Sequence, residues 1–219
     1  MRALIASGSD RYADPWHPFA RTSALVADVL EESAFDVAIE HDVDLAMGSL
    51  AGVDLLVVNA GDPWRAHDQE DPPPAASIDG FAHALERGIG VLALHCAVSS
   101  LRDYPEWAPA IGAMWVPGLS FHPEHGPTQV TGIHLPDGTR IEDFTVSDER
   151  YCRLQRIGRS TVVAEHAGTA VAEPTAWVRT VGASRVAVDV LGHDERSYES
   201  AGHRLLIRQL ARWAVDSPN

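Results

Sequence analysis

Cysteine is scarce in this chain. Only Cys96 and Cys152 occur in 219 residues, which excludes a disulfide framework and points to reduced thiols. Long apolar runs are missing too. No stretch approaches the about 18 consecutive apolar residues of a membrane span, and the apolar part of Met1–Ser7 is too short for a signal peptide. Runs of positive charge are equally absent: 17 basic residues lie scattered against 31 acidic ones, for a formal net charge of −14. Neither nucleic acid nor an anionic membrane is expected as a partner. The turn Ser7-Gly8-Ser9-Asp10 lacks both phosphate-binding glycine spacings, so no nucleotide cofactor is expected. With no internal repeat and no low-complexity tract, residues 1–219 read as one cytoplasmic domain able to bury a single core; whether it forms a homo-oligomer is left open.

What is present is a train of short apolar runs alternating with helical patterns. Residues 3–6, 36–39 and 53–58 read as strands, with helices over 19–30 and 78–87, and Gly88 is placed to cap the second helix. The prolines of 71–74 mark a surface connection. Val91–Leu94 is apolar at every position, as a strand covered on both faces must be. It ends abruptly in His95-Cys96, followed by small residues, the pattern of a strand–turn–helix elbow at the carboxyl edge of a sheet. Further strands are expected over 129–135, 160–166 and 175–191, the last turning near Gly182. A final amphipathic helix over 200–214 would put Leu205, Leu206, Leu210 and Trp213 on the core. This order predicts an α/β, three-layer, flavodoxin-like doubly wound sheet.

Eleven histidines is a rich allotment, and His17, His95, His122, His125 and His193 fall at expected strand or loop ends. Imidazole there can ligate a metal, act as a general base or hydrogen-bond a sugar hydroxyl. Trp16, Trp64, Trp107, Trp115 and Trp177 lie in or near the same segments, offering flat rings to the C–H face of a pyranose, and Tyr151 adds a hydroxyl.

Several segments, in order, carry a family resemblance: Leu94-His95-Cys96, Glu106-Trp107, Ile111-Gly112, Phe121-His122-Pro123, Phe144 through Tyr151, Glu173 through Arg179, Gly182 through Val186 and Leu191 through Asp194. Together they resemble the ThuA-like (trehalose utilisation) proteins, over nearly the whole chain. The resemblance implies the class I glutamine amidotransferase-like fold and a role in metabolism of trehalose or related keto-sugars. The amidotransferase relatives would imply a Cys96 nucleophile, with His193 as its base and Glu195 orienting the imidazole. Those relatives carry glycines two residues either side of the nucleophile, where this chain has Leu94 and Val98, so a slow-reacting thiol is expected instead.

Two site readings follow. One is an enzyme acting on a small carbohydrate, with His193, Glu149 and Cys96 as catalytic candidates. It would have His17, His95, His122, Tyr151 and Trp177 against substrate, and a divalent metal, Zn or Mn, on His17, His122 and His193. The other is a Cys-dependent, amidotransferase-like hydrolase. A non-catalytic sugar-binding or regulatory protein is the third class consistent with the same residues.

Overall fold

A computed structural model describes residues 1–65 and 72–216. Its elements are β1 (Arg2–Ser7), α1 (Phe19–Glu31), β2 (Asp36–Glu40), α2 (Val43–Gly48), β3 (Leu55–Asn59), α3 (Ala75–Arg87), β4 (Gly90–Leu94), α4 (Trp107–Ile111), β5 (Ala113–Met114), β6 (Gly126–Thr131), β7 (Phe144–Asp148), β8 (Gln155–Arg156), β9 (Thr161–Ala167), β10 (Ala172–Val181), β11 (Ser184–Asp189) and α5 (Ala201–Val215). Nine strands form one sheet in the order β2-β1-β3-β4-β11-β10-β9-β6-β7. The first five are mutually parallel, and the last four continue the sheet antiparallel. The parallel half has the flavodoxin-like order, with chain direction reversing its winding between β1 and β3.

The uninterrupted apolar strands are explained by what covers them. Side chains alternate across a strand, so Leu56, Val58, Val91 and Ala93 pack with Val43, Met47, Phe81 and Trp107 of α2, α3 and α4. Leu55, Val57, Leu92 and Leu94 face the other way, onto Val26 and Leu30 of α1 and Leu206 and Leu210 of α5. Three layers follow directly.

The expected boundaries hold within two or three residues for the parallel half, and Gly88 does cap α3 in the left-handed conformation at φ 90°. Three differences have physical causes. The short α2 was not foreseen because its six residues are too few to show a helical period; Asp42 caps it, accepting from the Leu45 N–H at 2.9 Å. Strand β7, Phe144–Asp148, carries polar residues at alternate positions near the sheet margin. Leu205 is only half-buried and Ile207 takes a core position instead. Of the proline connection, Asp71 lies outside the described residues; Pro72 and Pro74 are exposed and Pro73 is buried.

Candidate functional site

The loops after β1, β3, β4, β7 and β11 all open on the carboxyl edge, the place where open α/β sheets bind ligands. They line a cleft of about 790 Å³ with Asp14, Trp16, His17, Trp64, Cys96, Trp115, His122, Glu149, Tyr151 and His193 among its walls.

The β4 elbow departs from expectation by one residue. The left-handed backbone falls on His95, at φ 44°, and Cys96 follows it in a short 3-10 turn, His95–Val98. A non-glycine residue there is strained and persists only where its surroundings enforce it. With His95 at the tip, the positions two residues either side are Ala93 and Ala97, both fully buried. Small side chains therefore flank the strained residue, which is His95, while Cys96 itself lies one residue beyond the tip.

His95 is held by its Nδ1, which donates to the Val190 carbonyl at 2.9 Å. A carbonyl only accepts, so this nitrogen carries a hydrogen and Nε2 faces the other groups of the cleft. His17 is fixed in the same way: its Nδ1 lies 2.7 Å from Asp14 Oδ2, while Asp14 Oδ1 accepts the backbone N–H groups of Trp16 and His17 at 2.9 Å each. The two Nε2 atoms meet at 3.2 Å. Glu149 Oε2 stands 3.6 Å from His95 Nε2 and 3.4 Å from His193 Nδ1. That His193 nitrogen is buried and makes no hydrogen bond among the described residues. His17, His95, Glu149 and His193 each offer a ligand atom within 4.8 Å of the others.

The carboxylate that aligns these groups is Asp148, which is fully buried. Its oxygens accept from the N–H groups of Glu149 and Gly192 at 2.8 Å each and of His193 at 3.3 Å. One side chain thus ties the β7 loop to the β11 loop and sets Glu149 against His193. Gly192 is at φ 120°, and a Cβ on it would lie 2.8 Å from the Tyr198 hydroxyl, so the turn beneath His193 requires glycine.

Cys96 Sγ lies 3.2 Å from His17 Nε2 and 3.6 Å from the Tyr151 hydroxyl. Burial opposes the thiolate, but the neighbouring His95 and His17 imidazoles outweigh it and draw the thiol down to about 6. For His17, burial is likewise overcome by the Asp14 carboxylate and Cys96, which raise it to about 9. Glu149, despite burial, is held well below the usual carboxylate range by His193 and His95. Tyr151 is pushed well above the usual phenol value by burial and by Cys96 and Glu149, so its hydroxyl keeps its proton and can donate to His95 Nε2 at 3.0 Å.

Of the residues singled out from sequence, His17, His95, Cys96, Glu149, Tyr151 and His193 converge. His122 is at the exposed rim: its Nδ1 bonds the Pro123 carbonyl at 2.9 Å and comes within 3.4 Å of Glu149 Oε1. It is outside the four-residue ligand group, where His95 stands in its place. Trp177 is absent from the cleft wall. It is 4% exposed and its Nε1 donates to the Ile111 carbonyl at 2.7 Å, so it braces α4 in the core; Trp107 does the same for the elbow through the Ala97 carbonyl. Glu195 does not orient His193: it pairs with Arg21 at 2.8 Å on the surface, and Glu149 faces His193 instead. Asp14 was not singled out from the sequence, and Asp148 entered only within the segment Phe144 through Tyr151, with no role of its own. Asp14 had a signal in its spacing three residues before His17, which lets a carboxylate cap the turn and reach the ring. The role of Asp148 had no local signal, since its partners in the β11 loop lie 44 and 45 residues away.

Fold and site together define a flavodoxin-like α/β protein with a histidine elbow and a histidine–carboxylate cluster at the carboxyl edge. The trehalose utilisation (ThuA) family matches residues 2–214, and the chain belongs to that family. Among solved structures it is similar to a ThuA-like protein from Parabacteroides merdae (17% identity, TM-score 0.78, covering 98% of this chain and 89% of that one). A second ThuA-like protein, from Bacteroides uniformis, matches at 14% identity and TM-score 0.72, covering 100% and 92%. A cytoplasmic protein from Salmonella typhimurium LT2 follows at 11% identity and TM-score 0.64, covering 99% and 100%. No curated protein matches the chain. No helix among the described residues is long and apolar enough to cross a membrane.

Proposed function

We propose that this protein is an enzyme of carbohydrate metabolism that transfers a proton at the carbon next to the carbonyl of a keto-sugar, assisted by a divalent cation. The observation that carries the reading is the facing pair of Nε2 atoms, His17 and His95, 3.2 Å apart. Each ring is tied back through its other nitrogen, to Asp14 and to the Val190 carbonyl, the arrangement that turns imidazole lone pairs toward a metal. At 3.2 Å the two Nε2 atoms can share a proton, as the raised His17 favours, and a metal cation would take that proton's place. The unbonded His193 Nδ1 and Glu149 Oε2 complete a nitrogen- and oxygen-rich donor set that suits Zn or Mn.

His17, His95 and Glu149 would hold the cation, with His193 as the fourth available donor. When bound, such a cation polarises a carbonyl oxygen and stabilises charge developing on it. The chain's own groups do the rest. Glu149 stays ionised between His95 and His193. His193, which lines the cleft, would accept and return the substrate proton through a ring nitrogen not engaged by the cation. Tyr151, packed on His95 with its hydroxyl 3.0 Å from Nε2, holds that ring in place. The chain contains no lysine, all 17 basic residues being arginine, so a Schiff-base route to the same proton transfer is closed.

The cleft suits a sugar. Trp16 and Trp64 remain 60% and 56% exposed yet are held in place: Arg65 stacks on Trp16 at 5.1 Å, and Trp64 Nε1 donates to Asp103 at 3.2 Å. With Trp115 they offer apolar faces in a volume that accommodates a disaccharide. The test is proton exchange at that carbon, followed by NMR in D2O on keto-disaccharides with metal-free, Zn-loaded and Mn-loaded protein. Metal-dependent exchange lost in His193→Gln supports the reading; equal exchange with and without metal defeats it.

A second reading, a Cys96-dependent hydrolase, is favoured by the lowered thiol 3.2 Å from His17. It differs in requiring Cys96 for turnover and needing no metal.

A further inference from the structure

The opposite, amino edge of the sheet holds a separate concentration of charge. The turn between β8 and β9 and the far end of β10 border a hollow of about 580 Å³ lined by Arg156, Arg159, Arg179, Ser160, Thr180 and Trp213 among others. The register fixes its distance from the cleft: Arg179 pairs with Val186, which lies beside Val91 near the start of β4, whereas the cleft begins beyond Leu94.

No Asp or Glu is among the described residues of this lining, although the chain carries 31 acidic residues against 17 basic ones. Elsewhere Arg21, Arg102, Arg196, Arg204 and Arg208 each meet a carboxylate, while Arg87, Arg150 and Arg185 bond backbone carbonyls. Arg156, Arg159 and Arg179 form no ion pair among the described residues. Arg156 also borders an adjoining hollow with Glu173, whose Oε1 is occupied by the Arg153 N–H.

Arg179 is seated deliberately. Its guanidinium lies against Gly112 and Gly158, both left-handed at φ 76° and 69°. A Cβ on Gly112 would fall 1.8 Å from Nη1, and one on Gly158 would fall 3.2 Å from Nη2. The group is fixed by neutral acceptors only, the Ile157 carbonyl at 2.6 Å and the Ser160 hydroxyl at 3.5 Å, and its Nε is buried without a partner. Trp213, 5% exposed, borders the same hollow and its indole N–H has no partner among the described residues.

Three guanidinium groups thus border one hollow, two of them, Arg156 and Arg159, exposed, and none meets a carboxylate among the described residues. Their planar forks match the oxygens of a phosphate, which two or more arginines grip with paired hydrogen bonds. The volume is that of a small-ligand site, roughly 300–1,000 Å³. We propose that this hollow binds a phosphate group, free or carried by a small metabolite, at a site separate from the histidine cleft.

Titration calorimetry on the full chain tests this with inorganic phosphate, pyrophosphate, glucose 6-phosphate and citrate as probes. Binding of at least one phosphate probe is expected, weakened roughly tenfold or more in Arg156→Ala/Arg159→Ala and unchanged in His193→Gln. Inorganic phosphate binding as tightly as glucose 6-phosphate identifies the free ion as ligand; tighter binding of the sugar phosphate identifies a metabolite. Thermal unfolding without probe verifies that the double variant is folded, and Arg159→Gln serves if it is not. The proposal fails if the wild type binds no phosphate probe, if citrate binds at least as tightly as every phosphate, if the arginine variants bind as the wild type does, or if binding is lost in His193→Gln. None of these outcomes bears on proton exchange in the cleft.

Discussion

At the scale of single residues, Asp148 matters more to the site than its distance from the chemistry suggests. It accepts three backbone N–H groups from two loops while fully buried. Removing it leaves those donors unsatisfied, each at about 1–3 kcal/mol. Asp148→Ala should therefore lower stability by about 3 kcal/mol or more, and Asp148→Asn, which keeps the shape, by less. Because Asp148 positions Glu149 against His193 without touching substrate, the Asn variant should lose kcat more than KM. Chemical denaturation and steady-state kinetics check both statements.

Cys96 separates the two catalytic readings. If proton transfer runs through His193 and Glu149, Cys96→Ala should keep turnover within about tenfold of wild type, a barrier change of about 1.4 kcal/mol. A loss of about a thousandfold or more would establish the thiol as nucleophile. His166 gives a pH signature unrelated to the site. Its ring is 1% exposed, and burial, helped by Arg150, lowers it to about 4. The folded value lies below the unfolded one of about 6.5, so below that value the unfolded chain takes up a proton the folded one refuses. Stability should fall by about 3 kcal/mol as pH drops from 6.5 to 4 through this residue alone. His166→Asn should flatten that part of the curve, measured by denaturation at pH 7 and pH 4.5.

At the scale of elements, the elbow is the most demanding piece. It needs β4 apolar on both faces, a left-handed residue at its tip and small residues either side. Ala93 and Ala97 are fully buried, so enlarging either forces overpacking that costs about 1–3 kcal/mol. Ala97→Val should displace His95 from the Val190 carbonyl and reduce activity beyond its effect on stability. Ala93→Ser, nearly isosteric, should be tolerated far better. Activity compared with melting temperature across the two variants reads the difference.

For the whole molecule, a cation bound by four groups from four separate loops should stabilise the fold, because the unfolded chain has no such site. At a concentration about a hundred times Kd the gain is about 2.7 kcal/mol, which for a chain of this size is a rise of about 5–10 °C in Tm. Zn or Mn should produce it, EDTA should reverse it, and Glu149→Gln should diminish it. A Tm indifferent to both metals would remove the cation from the proposed function.

The parallel half of the fold was legible in the sequence because each strand there is covered on both sides, leaving runs such as Val91–Leu94 with no polar interruption. The antiparallel half was less so, since β7 is polar at alternate positions and α2 is too short to show a period. Among site residues, His17, His95, Cys96 and His193 could be read from chain position, since each follows a buried strand, whereas Glu149, after the unforeseen β7, was reached through the family resemblance. Local sequence determined that much, because burial pattern and turn chemistry act over a few neighbours. Only the tertiary structure decided which of those ends meet. The packing of β4 between β3 and β11 puts His95, not Cys96, at the strained tip, turns Trp177 into the core and leaves His122 on the rim. It also brings Asp148 under a loop 44 residues onward and gathers three unpaired arginines at the far edge, relations between distant segments that no local pattern encodes.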